Sequence, residues 1–310
     1  MNRSPPGESP AERTRRGIAT FPPYHGALRC RTWARPAILR RSGMSPAQVI
    51  PHPGDEPDLL TFLAARSAVH LPMLAALEDG RGIFLGAWDR TGALRGAALL
   101  ESDGLAYLST EDPGAARTLG KALARRKIDT LLVDRESGER AWHAMSPFSP
   151  PRLLLDQAVY VLEPDAFVPA DPPLPLQPAH PDELEEVVQV AKAMFWEEVG
   201  LPPYEPTLRA NLREEITDGS IFVAREEGTL LFLARVAARC SFGAELQRVF
   251  TAPTRRREGI ASRALATLCQ DLFSSLPRVV LRVNETNQPA MRLYRKLGFS
   301  RVGRIRLYCR

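Results

Sequence analysis

The sequence predicts an α/β fold of the α+β kind. Two similar halves stand in tandem, each a mixed, mostly antiparallel sheet flanked by helices, behind an unstructured tail. Three observations carry this prediction. The order of helix-like and strand-like stretches over 56–162 recurs over 174–310. A proline-rich stretch, with six Pro across 163–178, parts the repeats and reads as a stiff linker. A chain of 310 residues that is 44% apolar and 25% charged has ordinary globular composition and is long enough for two domains. The expected division is a tail over 1–55, a first half over 56–165 and a second half over 166–310.

The tail is rich in Arg and Pro and lacks an apolar period, so disorder is expected there. It lacks the apolar core of a secretory leader. It is either a genuine extension or an early start, with Met44 as the alternative first residue. Residues 1–43 carry nine Arg and two Glu, a charge of +7. The whole chain is +5, so the remainder is 5 − 7 = −2. A near-neutral body is not expected to bind nucleic acid; only the tail carries the charge for it. The four cysteines have no CxxC spacing and the five histidines no metal spacing, so no metal is expected and a cytoplasmic protein is. No apolar run is long enough for a membrane span.

In the first half, Asp58 to Ala68 and His70 to Leu77 have helical spacing and stop at Asp79-Gly80. Gly82 to Trp88 and Ala93 to Leu100 are apolar strands joined by the turn Asp89–Gly92. Gly104 closes another turn before the strand Leu105 to Leu108. Pro113 to Arg125 is a helix, with Asp112 as N-cap and Pro at its first position. Thr130 to Val133 is a strand, Glu136 to Met145 a helix and Leu153 to Leu162 a long strand.

The second half opens with a short strand, Leu174 to Gln177. Pro181 to Glu197 is a helix with acids in its first turn, where the helix dipole favours them. Thr207 to Thr217 is a second helix, ended by Asp218-Gly219. Strands follow at Ile221–Arg225, Thr229–Ala237 and Glu245–Thr251. Then come a helix over Ile260–Phe273, a strand over Val279–Val283, a helix over Gln288–Leu297 and a last strand over Ser300–Leu307.

The chemistry concentrates at Arg255-Arg256-Arg257-Glu258-Gly259-Ile260-Ala261, between a strand and a helix. The first N–H groups of a helix lack intrahelical partners, and the dipole adds positive charge there. A phosphate fits such an end, and arginines add forked donors. Gly259 lets a ligand approach the backbone. The turn therefore reads as a pyrophosphate cradle. Downstream, Asn287 caps the next helix, Pro289 lies in its first turn, and Gly298 ends it.

Together these residues resemble the GNAT superfamily of acyl-CoA-dependent N-acyltransferases. Its first signature, Arg/Gln-x-x-Gly-x-Gly/Ala, is met by Arg256, Gly259 and Ala261. Its second is met by Asn287, Ala290, Tyr294, Gly298 and Phe299. The segment Ala193 to Gly200 also resembles a bacterial subgroup that carries an N-terminal domain of unknown function; Trp196 departs from its pattern. The resemblance covers about 174–310. It implies acetyl-CoA, or another acyl-CoA, as co-substrate, with the pantetheine along Val249, Phe250 and Thr251. The pyrophosphate then lies against Arg256, Arg257, Glu258, Gly259, Ile260, Ala261 and Ser262, with Asn287 nearby. Tyr294 stands where many members place the acid that protonates the leaving thiolate. Glu245, eleven residues before Arg256, stands where some place a general base. Glu197 and Glu198 fall where members shape the acceptor pocket, and would draw in a cationic amine. The implied acceptor is a small-molecule or peptide amine.

The first half's counterpart of the cradle is Ser109-Thr110-Glu111-Asp112-Pro113-Gly114. It has acids where the cradle has arginines, so phosphate would be repelled there. The first half is therefore expected to have lost cofactor binding, and to pack against the second half and shape its acceptor cleft. A non-catalytic acyl-CoA sensor or interaction module is the alternative to an enzyme.

Overall fold

The computed structural model describes residues 44–200 and 202–310. Most of the expected tail lies outside this range. Of the remainder, Gln48–Val49 (β1) forms an edge strand on Gly86 and Leu85. Its backbone continues the pairing, with Ile50 N–H donating to Phe84 O at 2.9 Å. Two residues of strand flanked by Pro and Ser leave no periodic signal in sequence.

The first half follows the predicted order. Helices α1 (Pro57–Ala64) and α2 (Leu71–Glu78) precede strands β2 (Ile83–Trp88), β3 (Leu94–Leu100) and β4 (Leu105–Ser109). Then come α3 (Pro113–Leu123), β5 (Thr130–Asp134), α4 (Arg135–Met145) and β6 (Leu153–Leu162). The second half repeats it. Strand β7 (Gln177–Pro178), α5 (Leu184–Val199) and α6 (Glu205–Thr217) lead to β8 (Ile221–Glu226), β9 (Thr229–Cys240) and β10 (Gly243–Thr251). Helix α7 (Ile260–Phe273), β11 (Val279–Asn284), α8 (Gln288–Lys296) and β12 (Ser300–Cys309) complete it. Strands β9 and β10 reach further than expected. Their tips pair from Cys240 and Gly243, where the charged and polar residues around Ser241 hide the strand pattern.

Among the described residues the strands form one sheet, in the order β1-β2-β3-β4-β5-β12-β6-β11-β10-β9-β8-β7. Pairs β4–β5 and β10–β11 are parallel and the other neighbours antiparallel. The two halves exchange their last strands. Strand β6, from the first half, pairs with β11 and β12 of the second. Strand β12, from the second half, pairs with β5 of the first. Sequence cannot show this, because a strand's burial pattern does not say which neighbouring strand it pairs with.

Ion pairs pin the exchange. Asp156 on β6 accepts from Arg306 Nε and Nη2 at 2.6 and 2.9 Å, and Arg135 of α4 lies 3.2 Å away. Glu285, just past β11, accepts from Arg304 Nε and Nη2 at 2.9 and 2.8 Å. At the end of α8, Gly298 has φ +99, and a Cβ there would meet Ala166 O at 1.9 Å. A glycine is therefore required where the linker crosses this helix.

The buried clusters lie on both faces of the sheet. Helices α7 and α8 cover one face of β9–β11, through Leu265, Leu268, Met291 and Tyr294. On the other face, α5 and α6 bury Val187, Leu212 and Ile216 against Val223 and Leu233. That same face continues under α1 and α2, where Leu71 and Leu74 share a cluster with Val280 and Cys240. The first half's helices thus reach over second-half strands. No helix among the described residues is long and apolar enough to cross a membrane.

Candidate functional site

Strands β10 and β11 run parallel but pair at only three positions, Ala244–Val279, Glu245–Val280 and Leu246–Leu281. Beyond these they part. Strand β10 stays paired to β9 through Phe250 and Thr251, so its other edge opens into a wedge over Gln247–Thr251. A bulge between Gln247 and Phe250 puts Arg248 at φ +51, a left-handed conformation uncommon for a non-glycine.

After β10 a short turn, Pro253–Arg255, leads to the N-terminus of α7. Gly259 is the N-cap at φ +79, and no side chain caps the helix. A Cβ on Gly259 would meet nothing within 4 Å, so space before the helix is open. Ser262, in the first turn, is 7% exposed, and its Oγ is buried without a hydrogen-bond partner. Such an orphan beside uncapped N–H groups is the setting an anion relieves.

The three arginines differ in availability. Arg255 is committed to the turn, donating to Glu226 at 2.6 Å and Glu258 at 2.8 Å. Arg256 donates to Thr251 O at 3.2 Å and to both Glu197 oxygens at 3.1 and 3.0 Å. Arg257 is exposed, at φ +72, with no ion-pair partner among the described residues.

At the other end of the wedge, Glu245 is 1% exposed. Its Oε1 accepts from Gln247 Nε2 and Arg282 Nε, each at 2.8 Å, and from Arg282 Nη2; Oε2 receives none of these bonds. Burial pulls Arg282 down, but Glu245 and Tyr107 outweigh it and hold the guanidinium above its ordinary value. The Tyr107 ring, from the first half, lies 5.7 Å below Arg282 Cζ. Glu198, at the exposed C-terminal end of α5, has its carboxyl raised over its usual range by partial desolvation, and Glu197 adds to this. Tyr294 is 5% exposed, its ring packed against Tyr160 and Phe299 at 6.3 and 5.8 Å. Burial, then Glu198, raises its hydroxyl above the ordinary phenol value, so Tyr294 is a protonated donor at neutral pH.

Residues 188–299 match the family described as Acetyltransferase (GNAT) family. This part of the chain, about a third of it, is similar to that family. Solved structures resemble the fold well beyond it. A GCN5-related N-acetyltransferase from Sphaerobacter thermophilus is 15% identical, with 88% of this chain and 96% of that one covered, at a TM-score of 0.54. A GNAT-family acetyltransferase from Colwellia psychrerythraea is 17% identical, with coverage of 86% and 99% and a TM-score of 0.50. A Drosophila protein is 14% identical, with coverage of 81% and 86% and a TM-score of 0.56. An N-acetyltransferase 9-like protein of Dictyostelium discoideum is 25% identical over 69 residues, 21% of this chain. That match spans about a third of the relative, 32% of its length.

The GNAT fold brings most of the predicted residues together. Val249 and Thr251 lie half-buried along the open edge of β10; Phe250 points away, into the cluster under α5 and α6. Residues 256–259 form the turn and 260–262 open α7, with Ile260 buried as its anchor. Asn287 is a structural cap, its Oδ1 accepting from Ala290 N–H at 3.1 Å. Glu197 is bound to the cradle rather than free in an acceptor pocket. Cys240 and Cys269 are buried, and burial pushes their thiols up to about 11 and about 12, so neither is a ready nucleophile.

Sequence reasoning missed Arg235, Gln247, Arg248 and Arg282, and Tyr107 from the other half. Arg235 and Arg282 did carry a signal. Each interrupts an otherwise apolar strand, at a position whose neighbours on both sides are buried or half-buried. A charge there must find a partner or serve a site.

Proposed function

We propose that this protein is an acyl-CoA-dependent N-acetyltransferase, moving an acetyl group from acetyl-CoA to a primary amine by direct transfer. One observation carries the reading: β10 and β11 part beside an uncapped helix N-terminus that holds an unpartnered serine. The open edge of β10 can pair with an extended amide chain such as pantetheine. The N–H groups of α7, Ser262 Oγ, Arg256 and Arg257 can receive a pyrophosphate.

The transfer forms a C–N bond and breaks a C–S bond. The amine gives up a proton, and the sulfur leaves as a thiolate that needs one. Tyr294, held protonated by burial, supplies the proton to sulfur. Glu245 takes the amine's proton through Oε2, while Arg282 and Gln247 hold Oε1. The first half, 56–165, holds no cofactor and lends Tyr107 to the acceptor side. We extend the likeness to the bacterial subgroup with an N-terminal domain of unknown function, and to a cytoplasmic setting, on the same footing.

The test is thiol release from acetyl-CoA across a panel of amines, amino acids, peptides and aminoglycosides. Release that depends on both the amine and Tyr294 supports the enzyme. Acetyl-CoA binding with no release from any acceptor replaces it with a sensor.

A further inference from the structure

The floor between α5–α6 and α1–α2 is polar, although the sheet around it is apolar. Arg235 on β9 faces Gln247 on β10. Glu245 and Arg282 follow toward the first half. Arg248, thrown out by the bulge, reaches Glu215 of α6. Three arginines therefore face two carboxylates, an excess of one positive charge on a half-enclosed surface.

The surplus is localised. Arg282 is paired with Glu245 through Nε and Nη2. Arg235 and Arg248 must share Glu215, which is 8% exposed and gives one oxygen to each. Among the described residues Arg235 makes one ion pair, Nη1 to Oε1 at 3.3 Å, and its Nε is buried without a partner. An arginine fork is built for two parallel bonds to one carboxylate. Both side chains remain about a quarter exposed, 23% and 26%, so a ligand can reach them. Burial pulls Arg235 below its ordinary value, and Arg248 pulls it lower still against the help of Glu215. Arg248 is also held in a left-handed conformation, a cost typical of residues placed for function.

Resting on the acetyltransferase reading above, we propose that the acceptor is an amine that also carries a carboxylate. Arg235 and Arg248 grip the carboxylate, and this places the amine at the point where β10 and β11 part, beside Glu245. The site therefore selects amino-acid-like acceptors over polyamines and aminoglycosides. It reverses the selection expected from Glu197, which is tied to Arg256.

The experiment compares free amino acids with their α-amides and with spermidine, by thiol release from acetyl-CoA. The amides of aspartate and glutamate keep a side-chain carboxylate and so separate the two sources of that group. The expected result is a preference for carboxylate-bearing acceptors of roughly 100-fold in kcat/KM, about the worth of two charge-assisted hydrogen bonds. Arg235→Gln and Arg248→Gln should each reduce the preference by about 10-fold and leave the KM for acetyl-CoA unchanged. Unchanged acetyl-CoA binding in calorimetry also shows that each variant is folded. If amides or spermidine react as well as the acids, carboxylate recognition is overturned and acetyl transfer stands. If no acceptor releases thiol, titration of the same amino acids into the protein–CoA complex decides. Binding of acids over amides that is lost in Arg235→Gln keeps the carboxylate site and removes only the transfer. No such binding overturns both.

Discussion

Two strand–turn–helix units of this chain have the same order and opposite chemistry. In the first half, β4 and β5 pair at four positions, from Leu105–Thr130 to Leu108–Val133. Beyond the ladder, Asp134 closes the gap, accepting from Ser109 Oγ at 2.7 Å and Thr110 N–H at 3.0 Å. Ser137 Oγ adds a bond to Thr110 O at 2.6 Å, and His70 Nε2 lies 2.5 Å from Ser109 Oγ. The helix end is closed as well. Asp112 Oδ1 accepts from Gly114 and Ala115 N–H at 2.7 and 2.8 Å, and Pro113 has no N–H to offer. In the second half the ladder stops after three pairs, the helix has no side-chain cap, and Ser262 Oγ is unpartnered. A backbone scaffold that is proposed to receive a pyrophosphate in one half is thus shut by the chain's own carboxylates in the other. Hydrogen-bond bookkeeping separates a binding site from its structural twin where the fold does not.

The largest effect should come from installing the first half's device in the second. Gly259→Asp puts a carboxylate at the uncapped end of α7, where the space is open, at the cost of straining a backbone held at φ +79. Acetyl-CoA affinity, followed by calorimetry, should fall by about 100-fold or more, since the new carboxylate takes the N–H groups and repels phosphate. Next, Arg256→Glu with Arg257→Glu should raise the KM for acetyl-CoA by about 10- to 100-fold with a smaller change in kcat. An unchanged KM would remove the cradle. Tyr294→Phe should lower kcat by about 10- to 100-fold and leave acetyl-CoA binding intact. Equal losses in binding and kcat would make Tyr294 a packing residue.

The reverse change is predicted to be small and structural. Asp112→Ala should lower stability by about 1 kcal/mol, the worth of an N-cap, without creating acetyl-CoA binding. Denaturant midpoints and calorimetry measure the two parts. Gain of a second acetyl-CoA site would show that the cap alone closes the first half. Smallest is an effect at the exchanged strands, where one pair joins the halves and the other flanks it within the second. Hydrogen bonds from Arg306 to Asp156 and from Arg304 to Glu285 hold both carboxyls below their usual range. Their stabilisation is complete above an unfolded carboxylate's pKa and is lost as pH falls through the lower folded values. Unfolding midpoints should therefore drop below about pH 4, and Asp156→Asn should blunt that drop.

Much of the cradle was legible in sequence, because local rules fix it. Pro, Arg and Gly mark the turn, and Gly259 stands where the backbone needs a positive φ. The acids at Glu111-Asp112 also announced a closed helix end, though Asp134, which seals the strand gap, looked like an ordinary strand terminus. The strand exchange left no trace, since β6 is an apolar strand buried on both faces over Ala158–Leu162, and such a strand reads the same whichever half it pairs with. The polar floor of Arg235, Arg248 and Arg282 was missed because their partners Glu215 and Glu245 come from distant elements. Asn287 is a reminder that a signature residue can be doing local work, here as a helix cap.

On the proposed function, one half of this molecule binds acetyl-CoA and the other is sealed by its own side chains. Calorimetric titration of the whole chain with acetyl-CoA measures this directly. We predict one site per chain, lost in Gly259→Asp and unaffected by Glu111→Ala with Asp112→Ala. Two sites per chain, or a single site that survives Gly259→Asp, would contradict the account.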